Sequence, residues 1–66
     1  MVAWRRENAT RVMGELRTFV DSGWYPGVGR ALLRKIEKAL SVEGDPVYVD
    51  LTDEDVNVLR EIFEWE

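Results

Sequence analysis

Glycine and proline gather at two places in this chain, from Asp21 to Gly27 and from Glu43 to Pro46. Both are breaks that regular secondary structure does not run through. They leave three periodic segments and one short alternating one. Nothing in the 66 residues reads as a repeat, a linker or a low-complexity run, so the chain reads as one small domain, 1–66.

The first segment predicts a helix over 3–20. At 100° per residue Ala9, Val12, Met13, Leu16, Phe19 and Val20 fall within about 120° of arc, the width of a core-facing stripe. Trp4 lies just outside it. Gly14 falls on the opposite face, and Gly23 is a stop signal. The second segment predicts a helix over 27–41, with Pro26 at its start, where a missing N–H does no harm. Val28, Leu32, Leu33, Ile36, Ala39 and Leu40 form its apolar side, and Arg30, Arg34, Lys35 and Lys38 the other. The third predicts a helix over 53–65. Thr52 is its N-cap, and Asp55 three residues on completes a capping box with Asp in place of Glu. Its apolar residues spread over about 180° of arc, wider than one-sided packing needs. Before it, Val47, Val49 and Leu51 alternate with Tyr48 and Asp50, a strand pattern. That strand either runs alone across the helices or pairs with another segment such as Gly23–Tyr25. The expected fold is mainly α, a compact three-helix domain with one short extended segment near residues 46–51. Leu16, Phe19, Leu32, Ile36, Leu59 and Phe63 are its expected core.

Composition removes whole classes of function. There is no Cys and no His, which excludes a disulfide scaffold, a zinc finger, a Cys nucleophile and a His-based triad. No apolar run approaches the ~20 residues needed to span a bilayer, so the expected setting is soluble and cytoplasmic, away from membranes. One small core leaves little room for a walled pocket. The expectation is therefore a non-enzymatic protein with no cofactor and no metal. Asp53, Asp55, Asn57 and Glu64 match the spacing of calcium-loop ligands, but Val58 stands where that loop needs glycine.

Charge is unevenly spread. Residues 1–42 hold eight basic and four acidic side chains; residues 43–66 hold one basic, Arg60, and nine acidic. Such asymmetry marks an interaction surface, unless the two halves fold together and neutralise.

Pro26-Gly27-Val28-Gly29-Arg30-Ala31-Leu32-Leu33-Arg34-Lys35-Ile36 resembles the helix-hairpin-helix motif. Gly27, Val28, Gly29 and Ile36 match its places, and Leu33 stands where the family has a small Ala. The resemblance covers 11 of the 66 residues and implies sequence-independent binding of a nucleic-acid backbone. Glycines let the chain approach a phosphate, helix-start N–H groups point at it, and Arg30, Arg34 and Lys38 lie along the same helix. The alternative is a turn that uses glycine for geometry, with the basic residues as a solvated face.

The third segment carries the leading expectation. Glu61, Glu64 and Glu66 crowd the negative pole of its helix dipole, where each is unfavourable. A basic partner surface would offset them. Asp53, Glu54, Val58, Glu61, Glu64 and Trp65 are the candidate partner-binding residues, with Val58 and Trp65 as apolar anchors within a ring of carboxylates. The expected function is an inhibitor or adaptor that binds a basic protein, such as a nucleic-acid-binding one, as a nucleic-acid mimic. In size and charge the chain is similar to small acidic phage-type inhibitors, including some anti-CRISPR proteins. The other readings are a helix-hairpin-helix-like DNA or RNA binder, and a module that self-associates through apolar surface around Val58 and Trp65, with a monomer or homodimer expected.

Overall fold

The computed structural model describes residues 1–64. Five elements follow in order: β1 (Val2–Trp4), α1 (Arg6–Asp21), α2 (Val28–Ser41), β2 (Val47–Val49) and α3 (Asp53–Glu64). The fold is mainly α, with three helices and a two-stranded antiparallel ribbon. The central element is α2: α1, β2 and α3 each pack against it. Leu32 and Ile36 of α2 are fully buried, against Ala9 and Leu16 of α1, Val47 and Val49 of β2, and Val58 and Ile62 of α3.

The strand at 47–49 does find a partner, and it is not Gly23–Tyr25. Val2 pairs with Val49, Ala3 with Tyr48 and Trp4 with Val47. The first three residues of the expected first helix are therefore extended, or lead into extension. Val47 and Val49 bury their side chains in the core, so the β2 backbone needs a partner for its hydrogen bonds there. The chain start supplies it. Arg5 remains extended (φ −62°, ψ 142°), and α1 begins at Arg6. The Arg6 N–H is received by Asp45 Oδ1 at 3.0 Å, so the loop after α2 caps α1.

Arg6 returns the connection. Its Nε donates to the Gly44 carbonyl at 3.0 Å, its Nη1 to the Leu40 carbonyl at 2.9 Å and its Nη2 to the Val42 carbonyl. These are carbonyls at and just beyond the α2 C-terminus, which the helix itself leaves without partners. One side chain thus ties the start of α1 to the end of α2.

At α3 the capping box forms. Asp55 N–H donates to Thr52 Oγ1 at 3.2 Å, and Thr52 N–H donates to Asp55 Oδ2 at 3.0 Å. Lys35 Nζ also donates to Asp55 Oδ2, at 2.7 Å. This buried carboxylate, 2% exposed, sets the rotation of α3. The helix presents Asp55, Val58 and Ile62 to the core, an i, i+3, i+7 stripe. Leu59 and Phe63, expected at the centre, are half-buried and pack at its edge, as does Phe19, while Leu16, Leu32 and Ile36 lie where expected. Val58, expected as an exposed anchor, is 5% exposed and belongs to the core. Of the two residues named for self-association, Val58 is therefore inside the core, and Trp65 lies outside the described residues.

Candidate partner-binding surface

The turn between α1 and α2 is built by its glycines. At the end of α1 the Gly23 N–H donates to the Val20 carbonyl at 3.0 Å, and the Trp24 N–H donates to the Phe19 carbonyl at 2.9 Å. Gly23 has φ +90°. This is a Schellman cap, with glycine in the left-handed position. The apolar contact that accompanies such caps is present: Phe19 and Trp24 meet edge to face, centroids 6.5 Å apart. Tyr25 follows with φ 51°, a conformation that bulky residues rarely hold. Its ring stands 6.1 Å from Phe19 and 6.3 Å from Trp24.

Gly29 explains why α2 can start so close to this turn. A Cβ there would lie 2.8 Å from Tyr25 Cβ and 3.0 Å from a Val20 methyl. Only glycine lets the first turn of α2 seat against the Val20 side chain at the end of α1 and the Cβ of Tyr25. Gly27, at φ +87°, precedes the helix and has open space around its Cα.

A concave site of about 390 Å³ opens beside the turn, lined by Phe19, Trp24, Tyr25 and Glu61. The third helix therefore delivers a carboxylate to the aromatic cluster of the α1–α2 turn. Burial first, then the neighbouring Glu61 carboxylate, push the Tyr25 phenol above its ordinary pKa. Asp53, Glu54 and Glu61 are all exposed. No basic residue occupies the last turn of α3 to balance Glu61. Trp65 lies outside the described residues, and so does the side chain of Glu64.

The residues of the alternative phosphate site are brought to one end and one side of α2. Arg30, Arg34 and Lys38 are exposed along its solvent side, at i, i+4 and i+8. Gly27 and Gly29 sit at its start, but Gly29 is buried against Val20 and Tyr25. Glu61 stands beside Tyr25, immediately before Pro26, and a carboxylate there disfavours an approaching phosphate. Among the described residues, no cluster of Asp or Glu is arranged to hold a metal ion. No helix among them is long and apolar enough to cross a membrane.

The aromatic cluster escaped the sequence reading; Trp24 is 60% exposed. The signal was present in Gly23-Trp24-Tyr25, because a Schellman cap places the residue after its glycine against the last turn of the helix. The contribution of Glu61 to that site depends on tertiary packing and had no sequence signal. Compared with protein-family models, curated proteins and solved structures, the chain matches none.

Proposed function

We propose that this chain is a non-enzymatic interaction module, an inhibitor or adaptor, that binds a basic partner protein through the acidic side of α3 and the adjoining aromatic turn. The observation that carries this reading is the meeting of exposed carboxylates with an exposed tryptophan on one surface: Glu61 lines the same concavity as Trp24, and Asp53 and Glu54 are exposed on the same helix. Aromatic anchors beside a charged rim are the usual composition of binding hot spots. A partner with complementary charge would associate quickly and let go as salt rises.

The test is capture of a partner from nuclease-treated lysate, followed by affinity measurement with purified components. Asp53→Asn combined with Glu54→Gln removes charge and preserves shape. Partner affinity should fall at least about tenfold at low salt. Unchanged affinity would move the binding surface away from α3.

The helix-hairpin-helix reading is kept as the alternative because Arg30, Arg34 and Lys38 form an exposed row leading from the Gly27 turn. It requires a random-sequence duplex to bind at physiological salt, with affinity that falls steeply as salt is raised. Arg30→Glu with Arg34→Glu should then abolish binding. The expected result is negligible duplex binding, because Glu61 lies at the turn and the net charge is −4.

A further inference from the structure

The three rings at the α1–α2 turn do more than close a helix end. The Schellman cap accounts for the contact between Phe19 and Trp24. It does not account for Tyr25, which holds a left-handed backbone that glycine would adopt at less cost. Nor does it account for Glu61, which arrives from another helix. The ring centroids are 6.5, 6.1 and 6.3 Å apart, a nearly equilateral triangle. A cation about 3 Å off the plane of the three centroids would lie roughly 5 Å from each, within the range of ring–cation attraction. The rings are tilted to one another by 77°, 51° and 45° and do not stack, and all three line one concavity. The cavity they line with Glu61 has room for a small organic cation.

We propose that this pocket is an aromatic cage for a methylated lysine side chain of the basic partner. The inference rests on the reading of a basic protein partner and specifies what inserts. Charge selects a cation, since the one ionic wall is Glu61. The scarcity of acceptors selects its kind. Among the four lining side chains only Glu61 and the Tyr25 hydroxyl can accept a hydrogen bond, too few for the five donors of a guanidinium or the three of a free ammonium. A trimethylammonium group has no donors to satisfy and gives up its hydration cheaply, and ring faces suit it. Trp24, 60% exposed, leaves the entrance accessible to a side chain from a second protein.

The experiment titrates the full chain with three short peptides that differ at a single residue: trimethyllysine, unmodified lysine, and a neutral isostere with carbon in place of the quaternary nitrogen. The Trp24 indole N–H resonance is the readout. The trimethyllysine peptide should shift it saturably, with unmodified lysine and the neutral isostere each weaker by about tenfold. Equal binding of the isostere would show an apolar pocket without cation recognition and overturn the proposal, as would no saturable shift with any peptide. Trp24→Ala should abolish the trimethyllysine response. Glu61→Gln should weaken it several-fold while the fold, followed by far-ultraviolet circular dichroism, stays intact. The charge variant Asp53→Asn with Glu54→Gln leaves the cage whole. If it loses the partner but keeps the trimethyllysine response, the cage stands. If the partner is held through α3 while no peptide binds, the cage falls and the acidic surface stands.

Discussion

Glycine shows how far one residue's surroundings decide the sign of a substitution. Gly14 is exposed in the middle of α1, and a Cβ there would touch nothing within 4 Å. Gly14→Ala therefore restricts the unfolded chain and favours helix, and should stabilise the protein by about 0.5–1 kcal/mol. Gly29 is the opposite case. Its added methyl meets Tyr25 Cβ at 2.8 Å and Val20 at 3.0 Å, neither of them the far end of a flexible side chain. Gly29→Ala should destabilise by roughly 1–3 kcal/mol through overpacking, and by displacing Tyr25 it should also perturb the Trp24 indole resonance. Denaturant melts of the two variants check both signs; a stabilised Gly29→Ala would mean that α2 does not seat closely on the turn. In sequence the glycine spacing resembles the helix-hairpin-helix motif. In the fold, the second glycine of that spacing is accounted for by contact between elements.

At the scale of elements, the capping of α3 and its seating on α2 share one carboxylate. Burial alone would raise the Asp55 pKa; the Lys35 ammonium and the Thr52 amide and hydroxyl outweigh that and hold it below the ordinary carboxylate value. A lowered folded-state pKa means that the unfolded chain binds more protons through this range. Stability from Asp55 is then complete above its unfolded pKa, about 4, and is lost as pH falls through the lower folded value. With no His in the chain, no side chain with an ordinary pKa between 5 and 8 complicates the profile. Asp55→Asn should flatten the acid limb of the stability curve and, by leaving Lys35 without its partner, cost about 1–3 kcal/mol at neutral pH. An acid limb identical in wild type and variant would remove Asp55 from this role. Much of this element was legible in advance. Thr52 and Asp55 announced the capping box, and helix spacing announced α3. Its rotation was not legible, because apolar residues covered half its circumference and the deciding partner, Lys35, had been placed on a solvated face. The anchoring side chain Arg6 was hidden in the same way. Sequence counts it as one more positive charge, whereas its three carbonyl partners lie 34 to 38 residues away. Arg6→Lys keeps the charge but cannot reach three carbonyls with one planar fork, and a loss of about 1–2 kcal/mol is expected in the same melts.

Across the whole molecule, the first and last elements are held by a residue that helical periodicity left at the margin. Trp4 ends β1, where it pairs with Val47, and it lines a groove with Val12 of α1 and with Leu59 and Phe63 of α3. It is the point where the ribbon meets both outer helices, while α2 holds the other side of the core. The expected first helix absorbed this residue because Trp4 lies close to the apolar stripe. Its role became clear only when β2, forty-three residues on, proved to need a partner strand. A chain of 66 residues has a stability of roughly 3–10 kcal/mol. Full burial of a tryptophan is worth about 3–5 kcal/mol on truncation, and a half-buried one less. Trp4→Ala should therefore cost about 2 kcal/mol and lower the melting temperature by some 8–16 °C, since about 1 kcal/mol moves a domain of this size by 4–8 °C. Because Trp4 pairs with β2 and lines one groove with residues of α1 and α3, the loss should affect them together. Helical ellipticity and near-ultraviolet aromatic signals should melt along one coincident curve in wild type and variant alike. If Trp4→Ala left the main transition where it was and only an early, small change appeared, the ribbon would be a separate fraying unit, and the two outer helices would have to be joined through α2 alone.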